Sequence, residues 1–317
     1  MVVESLRSRR SATAASPTAR DLRRGEPLDL VGLTPVMEVT RGSPEVAIGL
    51  IDGPVAASHP DLASQAVTGI GPTPAVPCSH VNSVACAHGT YVAGILTARR
   101  GSQAPAICPD CTLAVRPIFL EATHGIDDLR ADPAELAHAL VKCADLGVRV
   151  VNVSAALAQP SMKDERALTE ALDHAARRGV IVVVAAGNQG TLGGTALTRH
   201  PWVIPVVSYD QYGRPHSHSN LGRSIARSGL GAPGVGITSL GASGQPLTSS
   251  GTSAAAPFVT GAVALLCSEF PDASGHEITT ALLEVRTGQR TTVVPPLMDA
   301  WDSYRFLRGT RRRRRSR

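Results

Sequence analysis

The chain has 317 residues, 43% of them hydrophobic and 18% charged, so it can bury a sizeable core in one large domain or two modest ones and is not a disordered chain. Its net charge of +5 is uneven: residues 1–44 carry seven basic and five acidic groups, residues 45–301 sixteen and twenty, and residues 302–317 eight and one. The body is therefore mildly acidic, which argues against a folded nucleic-acid-binding face; the Arg311–Arg317 stretch reads first as a solvated tail and second as a weak contact for nucleic acid or an acidic partner. No apolar run, Val180–Ala186 included, approaches the roughly 20 residues of a membrane-spanning helix. The polar, Arg-rich start shows no secretory signal, and Glu4 and Asp21 dilute any transit-peptide pattern, so the expected location is cytoplasmic with no membrane partner.

In chain order, residues 1–44 read as a flexible leader, because Pro, Gly and Arg recur there without helical or strand periodicity. Strands are expected at Val46–Ile51, Thr112–Ile118, Val148–Val153, Val180–Ala185 and Val203–Val207. Helices alternate with them. Pro133–Leu146 carries Pro at its first turn and sets Leu136 and Leu140 one turn apart. Glu165–Arg178 places Leu168 and Leu172 on one face and stops at Gly179. Near-continuous Val/Ile strands imply burial on both faces. The expectation is one three-layer α/β domain over 45–290, a mostly parallel central sheet flanked by helices, followed by a C-terminal extension over 291–317 with a disordered Arg-rich tail.

Three segments put a catalytic residue type at a strand end or helix start, where side chains converge in α/β folds. VAIGLIDG is an apolar strand ending in Asp52; in AHGTYVAGIL, His88 opens a helical pattern beside Gly89; in SGTSAAAPFVTGAVALL, a Gly-rich turn sets Ser253 at the head of a long apolar helix. A serine hydroxyl is a weak nucleophile at neutral pH and needs a base to take its proton and an acid to orient that base. Singly, Asp52 reads as a turn cap, His88 as a core histidine and Ser253 as a helix N-cap. Together, in this chain order and with these flanks, they resemble the three signatures of the subtilisin-like serine peptidases.

The resemblance covers about residues 45–270 and implies a subtilisin-like fold. VVVAAGNQG is similar to the family strand ending in an oxyanion-hole asparagine, here Asn188, whose amide with the backbone N–H of Ser253 would stabilise the oxygen that becomes negative as the hydroxyl attacks. SNLG (Ser219–Gly222) and APG (Ala232–Gly234) resemble loops ahead of the catalytic serine, with no direct chemistry. Asp52 is followed by Gly53-Pro54-Val55 where most of the family has Ser or Thr before Gly. That DGPV form, SHPDL and CPDCTLAVRPIF are closer in phrasing to the peptidases of cyanobactin maturation, which cut precursor peptides of ribosomally made natural products inside the producing cell. VNVSAALAQP resembles the segment whose Ser-Leu-Gly-Gly lines one wall of the primary specificity pocket. That implies Ser154, Ala155 and Ala156 as one substrate-binding wall and Ala185, Ala186 and Gly187 as the other. Side chains at Ala156 and Leu157, where glycines usually lie, would narrow the pocket unless the wall has shifted.

Six cysteines allow three readings, in descending order: buried or free thiols, one or two disulfides, and a structural zinc in which Cys78 and Cys86 join the Cys108-Pro-Asp-Cys111 knuckle. Cys86, two positions before His88, could report on the active site through oxidation. The two arginines of ARRGSQAPAICPDC would repel the calcium that many relatives hold in that region, so no metal and no cofactor is expected. The expected activity is that of a serine endopeptidase that matures a peptide or protein precursor. Two alternatives stand beside it: a general degradative protease, and a non-catalytic peptide-binding module on the same fold, which the intact Asp52, His88, Ser253 and Asn188 count against.

Overall fold

The Val- and Ile-rich runs become strands because their stiff side chains pack well on a pleated surface. The computed structural model describes residues 26–70, 78–119, 121, 130–154, 156–157, 162–284 and 292–315. In chain order the elements are α1 (Pro27–Leu30), α2 (Leu33–Val39), β1 (Ala47–Asp52), β2 (Val67–Gly69), α3 (Val84–Thr97), β3 (Thr112–Pro117), β4 (Arg130–Ala131), α4 (Pro133–Asp145), β5 (Val150–Val153), β6 (Ala156–Leu157) and α5 (Met162–Arg177). There follow β7 (Ile181–Ala185), α6 (Ala196–Arg199), β8 (Val203–Tyr209), α7 (Arg223–Ser228), β9 (Leu230–Pro233), β10 (Ile237–Leu240), β11 (Pro246–Ser249), α8 (Thr252–Glu269), α9 (Gly275–Glu284) and α10 (Ala300–Arg315).

Seven strands form one parallel sheet in the order β2-β3-β1-β5-β7-β8-β9. Side chains alternate between its two faces. Ile48, Leu50, Val150, Ile181 and Val183 enter one core with Tyr91 and Ile95 of α3 and Phe258 and Leu265 of α8. Ile51, Val151, Val153, Val182 and Val184 enter another with Leu136 and Leu140 of α4 and Leu168 and Leu172 of α5. Two cores on one sheet are the three layers expected from the sequence. The strand order turns at β1, which lies between β3 and β5, and a crevice at the carboxyl ends of such strands is where open parallel sheets place their sites. Asp52 is the last residue of β1 and Ser154 follows β5.

Several expectations need correction. The flexible leader expected over residues 1–44 does not extend through 26–44: α1 and α2 pack on the body, with Val31, Leu33 and Val36 fully buried. Residues 1–25 lie outside the described residues. The Arg-rich end is not a disordered tail as far as Arg315, because α10 runs to that residue. It is anchored by the buried Tyr304, whose ring meets Phe270, by Leu307, and by Arg311 over Phe270 and paired with Asp272. One segment does have the length and apolarity to cross a bilayer, Thr252–Glu269, but 83% of it is buried within the fold, where it is the central helix of the first core.

Candidate active site

Two glycines let β1 and α3 meet. A Cβ on Gly53 would lie 2.0 Å from the carbonyl oxygen of Ala85, and one on Gly89 would lie 2.5 Å from those of Gly53 and Pro54. No side chain fits at either contact, so the end of β1 presses directly on the second turn of α3. The helix begins at Val84 and not at His88, with Ser83 as N-cap, its hydroxyl accepting the Cys86 amide at 3.1 Å. His88 is thereby carried one turn in, onto Asp52.

The Asp52 carboxylate is fully buried; its Oδ1 accepts the Gly53 amide at 2.6 Å and lies 2.6 Å from Nδ1 of His88. Burial alone would lower the His88 imidazole. The charge of Asp52 and its hydrogen bond outweigh that, and the net displacement is upward. A carboxylate on Nδ1 fixes the tautomer in which Nε2 is free to take a proton. Phe119 meets the imidazole edge to face, with ring centroids 6.5 Å apart.

Ser253 is the second residue of α8, partly exposed at the helix head. Its neighbour Thr252 ties this helix to the end of β7. The Thr252 amide donates to Oδ1 of Asn188 at 2.8 Å and its hydroxyl donates to the same oxygen at 3.0 Å, while the hydroxyl oxygen accepts the Gly187 amide at 3.1 Å. Holding Oδ1 fixes the Asn188 carboxamide against Thr252, the residue before Ser253. Gly187 has φ of +105°, a conformation that favours glycine, and a Cβ there would lie 2.3 Å from Nδ2 of Asn220. Asn220 braces the following loop: its amide donates to the Gly187 carbonyl, and its Oδ1 accepts the amides of Gln189 and Thr191. The SNLG segment thus has a supporting part that the sequence did not reveal.

Of the expected pocket residues, Ser154 is buried after β5, and its hydroxyl accepts from Nδ2 of Asn152 at 2.7 Å. Asn152 in turn accepts from the Thr260 hydroxyl at 2.8 Å, a buried link from β5 to α8. Ala185 and Ala186 are buried at the end of β7. Ala155 lies outside the described residues, and Ala156 belongs to β6, whose backbone pairs in parallel with β4. Asn152, Thr252 and Asn220 were missed by sequence reasoning because their roles are hydrogen bonds between distant elements.

A cavity of about 710 Å³ adjoins the site, lined among others by Pro54, Ser79, His80, Arg116, Phe119 and Glu121. Cys78 and Cys86 form a disulfide at its edge, whereas Cys108, Cys111, Cys143 and Cys267 are buried thiols. A four-thiolate set of Cys78, Cys86, Cys108 and Cys111 is therefore not assembled. Where many relatives were expected to hold calcium, Arg100 donates to the carbonyls of Met37, Thr40 and Ile107.

A doubly wound parallel sheet that brings a buried carboxylate, an imidazole, a hydroxyl at a helix head and an oriented carboxamide to one end of its strands defines a hydrolytic α/β protein. The sequence profile of the Subtilase family matches residues 43–294, and the chain belongs to that family of serine endopeptidases. It is 32% identical over 73% of its length to the thermophilic serine proteinase of Bacillus sp. (strain AK1), and 30% identical over 76% to subtilisin DY of Bacillus licheniformis. It spans 54% of the first of these relatives and 84% of the second. Among solved structures, the prenylagaramide maturation protease PagA superposes with a TM-score of 0.75 at 26% identity, over 88% of this chain and 99% of that one. The patellamide maturation protease PatA gives 0.70 at 25%, over 84% and 98%.

Proposed function

We propose that Ser253 attacks the scissile carbonyl of a peptide or protein precursor, with His88 as base and then acid, Asp52 as its orienter, and Asn188 with the Ser253 amide holding the oxyanion. The observation that carries this reading is the 2.6 Å contact between Asp52 Oδ1 and His88 Nδ1, set at the same end of the sheet as Ser253. Attack forms an acyl-enzyme as the hydroxyl proton passes to Nε2 of His88 and then to the leaving amine; water, deprotonated by the same imidazole, releases the acyl group.

The substrate class in this reading is the precursor of a ribosomally made natural product. It is supported by the two maturation proteases among the structural neighbours and by the DGPV and CPDCTLAVRPIF phrases. The reading includes action in the cytoplasm. The test is a serine-reactive fluorophosphonate probe followed by incubation with the precursor peptide encoded nearest the gene. Labelling lost in Ser253→Ala, with a single cut in the precursor by the unaltered protein, is expected. Labelling with indiscriminate cleavage would favour a degradative protease, and absence of labelling a binding module.

A further inference from the structure

Ser79 and His80 form one wall of the cavity beside His88, and two tethers hold the segment from Cys78 to Ser83 that carries them. One is covalent: Cys78 is bonded to Cys86, which sits in the first turn of α3, two residues before the histidine. The other is the carboxylate of Glu121, which accepts the amides of Ser79 at 2.8 Å and His80 at 3.0 Å and the hydroxyl of Ser83 at 3.1 Å. Residues 79–82 are otherwise exposed, and Ser79, His80 and Glu121 line the cavity with Phe119, whose edge meets the imidazole. His88 itself is placed by contacts outside that segment: the approach of Gly53 to Gly89 and the hydrogen bond to Asp52. Position of the wall and position of the catalytic base are therefore separable.

We propose that the Cys78–Cys86 bond is a reversible thiol switch that sets the substrate cavity without touching the chemistry at Ser253; this deepens the triad reading and rests on it. Cys78 is half-buried and Cys86 fully buried, so an external dithiol meets the Cys78 sulfur. Its thiolate attacks Sγ of Cys78, the electron pair of the S–S bond passes to Sγ of Cys86, and that sulfur leaves and takes up a proton. The second thiol of the reductant resolves the mixed disulfide, freeing Cys78 as a thiol and closing the reductant's own disulfide. Two electrons and two protons pass from the dithiol to the protein. The bond closes a short loop, with a sequence separation of 8, so its loss costs the fold less than a long crosslink would. What it releases is the Cys78 end of the wall, while Glu121 and the turn closed by the Ser83 amide on the His80 carbonyl remain.

The full-length protein is assayed oxidised, after dithiothreitol, and after reoxidation. EDTA is present throughout, because the donor atoms of Cys78, Cys86 and Glu121 lie within 4.8 Å of one another and freed thiols would capture stray metal. Two substrates are compared, a peptide nitroanilide that ends at the cut and an extended peptide that reaches well past it on both sides. Reduction should raise KM for the extended peptide about tenfold, the scale of a lost pocket contact, with kcat unchanged. KM for the nitroanilide and fluorophosphonate labelling should stay as they were, and reoxidation should reverse the change. Cys78→Ser and Cys86→Ser should match the reduced protein and ignore the reductant. An extended-peptide KM that moves less than about twofold on reversible reduction of the unaltered protein would overturn the switch. So would a fall in kcat for both substrates, which would place the bond behind His88. Absence of labelling in both redox forms would instead overturn the triad reading.

Discussion

Asn188 and Thr252, 64 residues apart in sequence, are joined by two hydrogen bonds into one carboxamide oxygen, 2.8 Å from the Thr252 amide and 3.0 Å from its hydroxyl. The pair couples the end of β7 to the first turn of α8, and with it the proposed oxyanion donor to the proposed nucleophile. Asn188→Ala removes the donor and should lower kcat by about 10²–10³, with KM little changed. Thr252→Val leaves the donor present but loosely held; a neutral hydrogen bond contributes about 1 kcal/mol net, so kcat should fall roughly fivefold. Steady-state kinetics on both variants checks this, and equal losses would show that Thr252 does more than orient Asn188.

Asp52 lifts the His88 imidazole above its ordinary value of 6.5, and a general base works only when neutral. The acid limb of kcat/KM should therefore turn at a pH above 6.5 in the unaltered protein and move downward in Asp52→Asn. For stability the sign is opposite. A raised folded-state value means that the protonated imidazole stabilises the fold fully below about 6.5, and that this contribution is lost as pH rises through the raised value. Thermal unfolding of His88→Gln against the unaltered protein should show a stability gap that narrows with rising pH across that window, while the activity of the unaltered protein rises.

Gly53 and Gly89 are expected to be intolerant of even one methyl group. The Cβ of Gly53→Ala would meet backbone, not a movable side chain, at 2.0 Å. Overpacking of that kind typically costs about 1–3 kcal/mol, and this contact belongs at or above the upper end. Gly53→Ala and Gly89→Ala should each lower Tm and also kcat, because α3 carries His88. Gly309→Ala is the control for an added methyl alone, since nothing lies within 4 Å of its Cβ position and its φ is not in the left-handed region.

The elements that were legible in the sequence are those whose burial is nearly uniform. Ile181–Ala185 is buried on both faces and reads as an unbroken apolar run, and Pro133 marks the start of α4. The edge strands were not legible: Val67–Gly69 is three residues long, and Leu230–Pro233 contains Gly and Pro. The helix Leu33–Val39 was masked by Pro35 and by Gly32 at its cap, both of which read as loop signals. Asp52, His88, Ser253 and Asn188 stood out because each lies in a dense local motif at or near the end of an element. The Cys78–Cys86 bond has no such local mark, since spacing alone does not say which of six cysteines meet.

The C-terminal helix should divide into a structural part and a dispensable part. Tyr304 is 7% exposed, stacks on Trp301 and lies 5.3 Å, centroid to centroid, from Phe270. Replacing a buried aromatic by Ala costs about 3–5 kcal/mol, so Tyr304→Ala should lower Tm markedly. Removal of residues 312–317 leaves Arg311 on Phe270 and should keep both Tm and peptide turnover. Loss of turnover in that truncated chain would assign the last arginines to the active structure.

Selectivity before the cut should be narrow. Strand β6 is paired at its backbone, with Ala156 in register with Arg130 and Leu157 with Ala131, and Ala185 and Ala186 are buried at the end of β7. In the proposed reading these two segments are the facing walls of the primary pocket; the resemblance places glycines at positions 156 and 157, so a methyl and an isobutyl group there would narrow it. One methylene too many in an apolar pocket changes discrimination by roughly 1–3 kcal/mol, about 10- to 200-fold. Small and medium side chains should therefore be accepted before the scissile bond and Phe or Tyr rejected. The variant Ala156→Gly/Leu157→Gly should gain the aromatic substrates, with kcat/KM for the small ones little changed. Profiling both proteins on a peptide library decides it: a preference for Phe or Tyr in the unaltered protein, or no widening in the double variant, would show that these two residues do not set the width of the pocket.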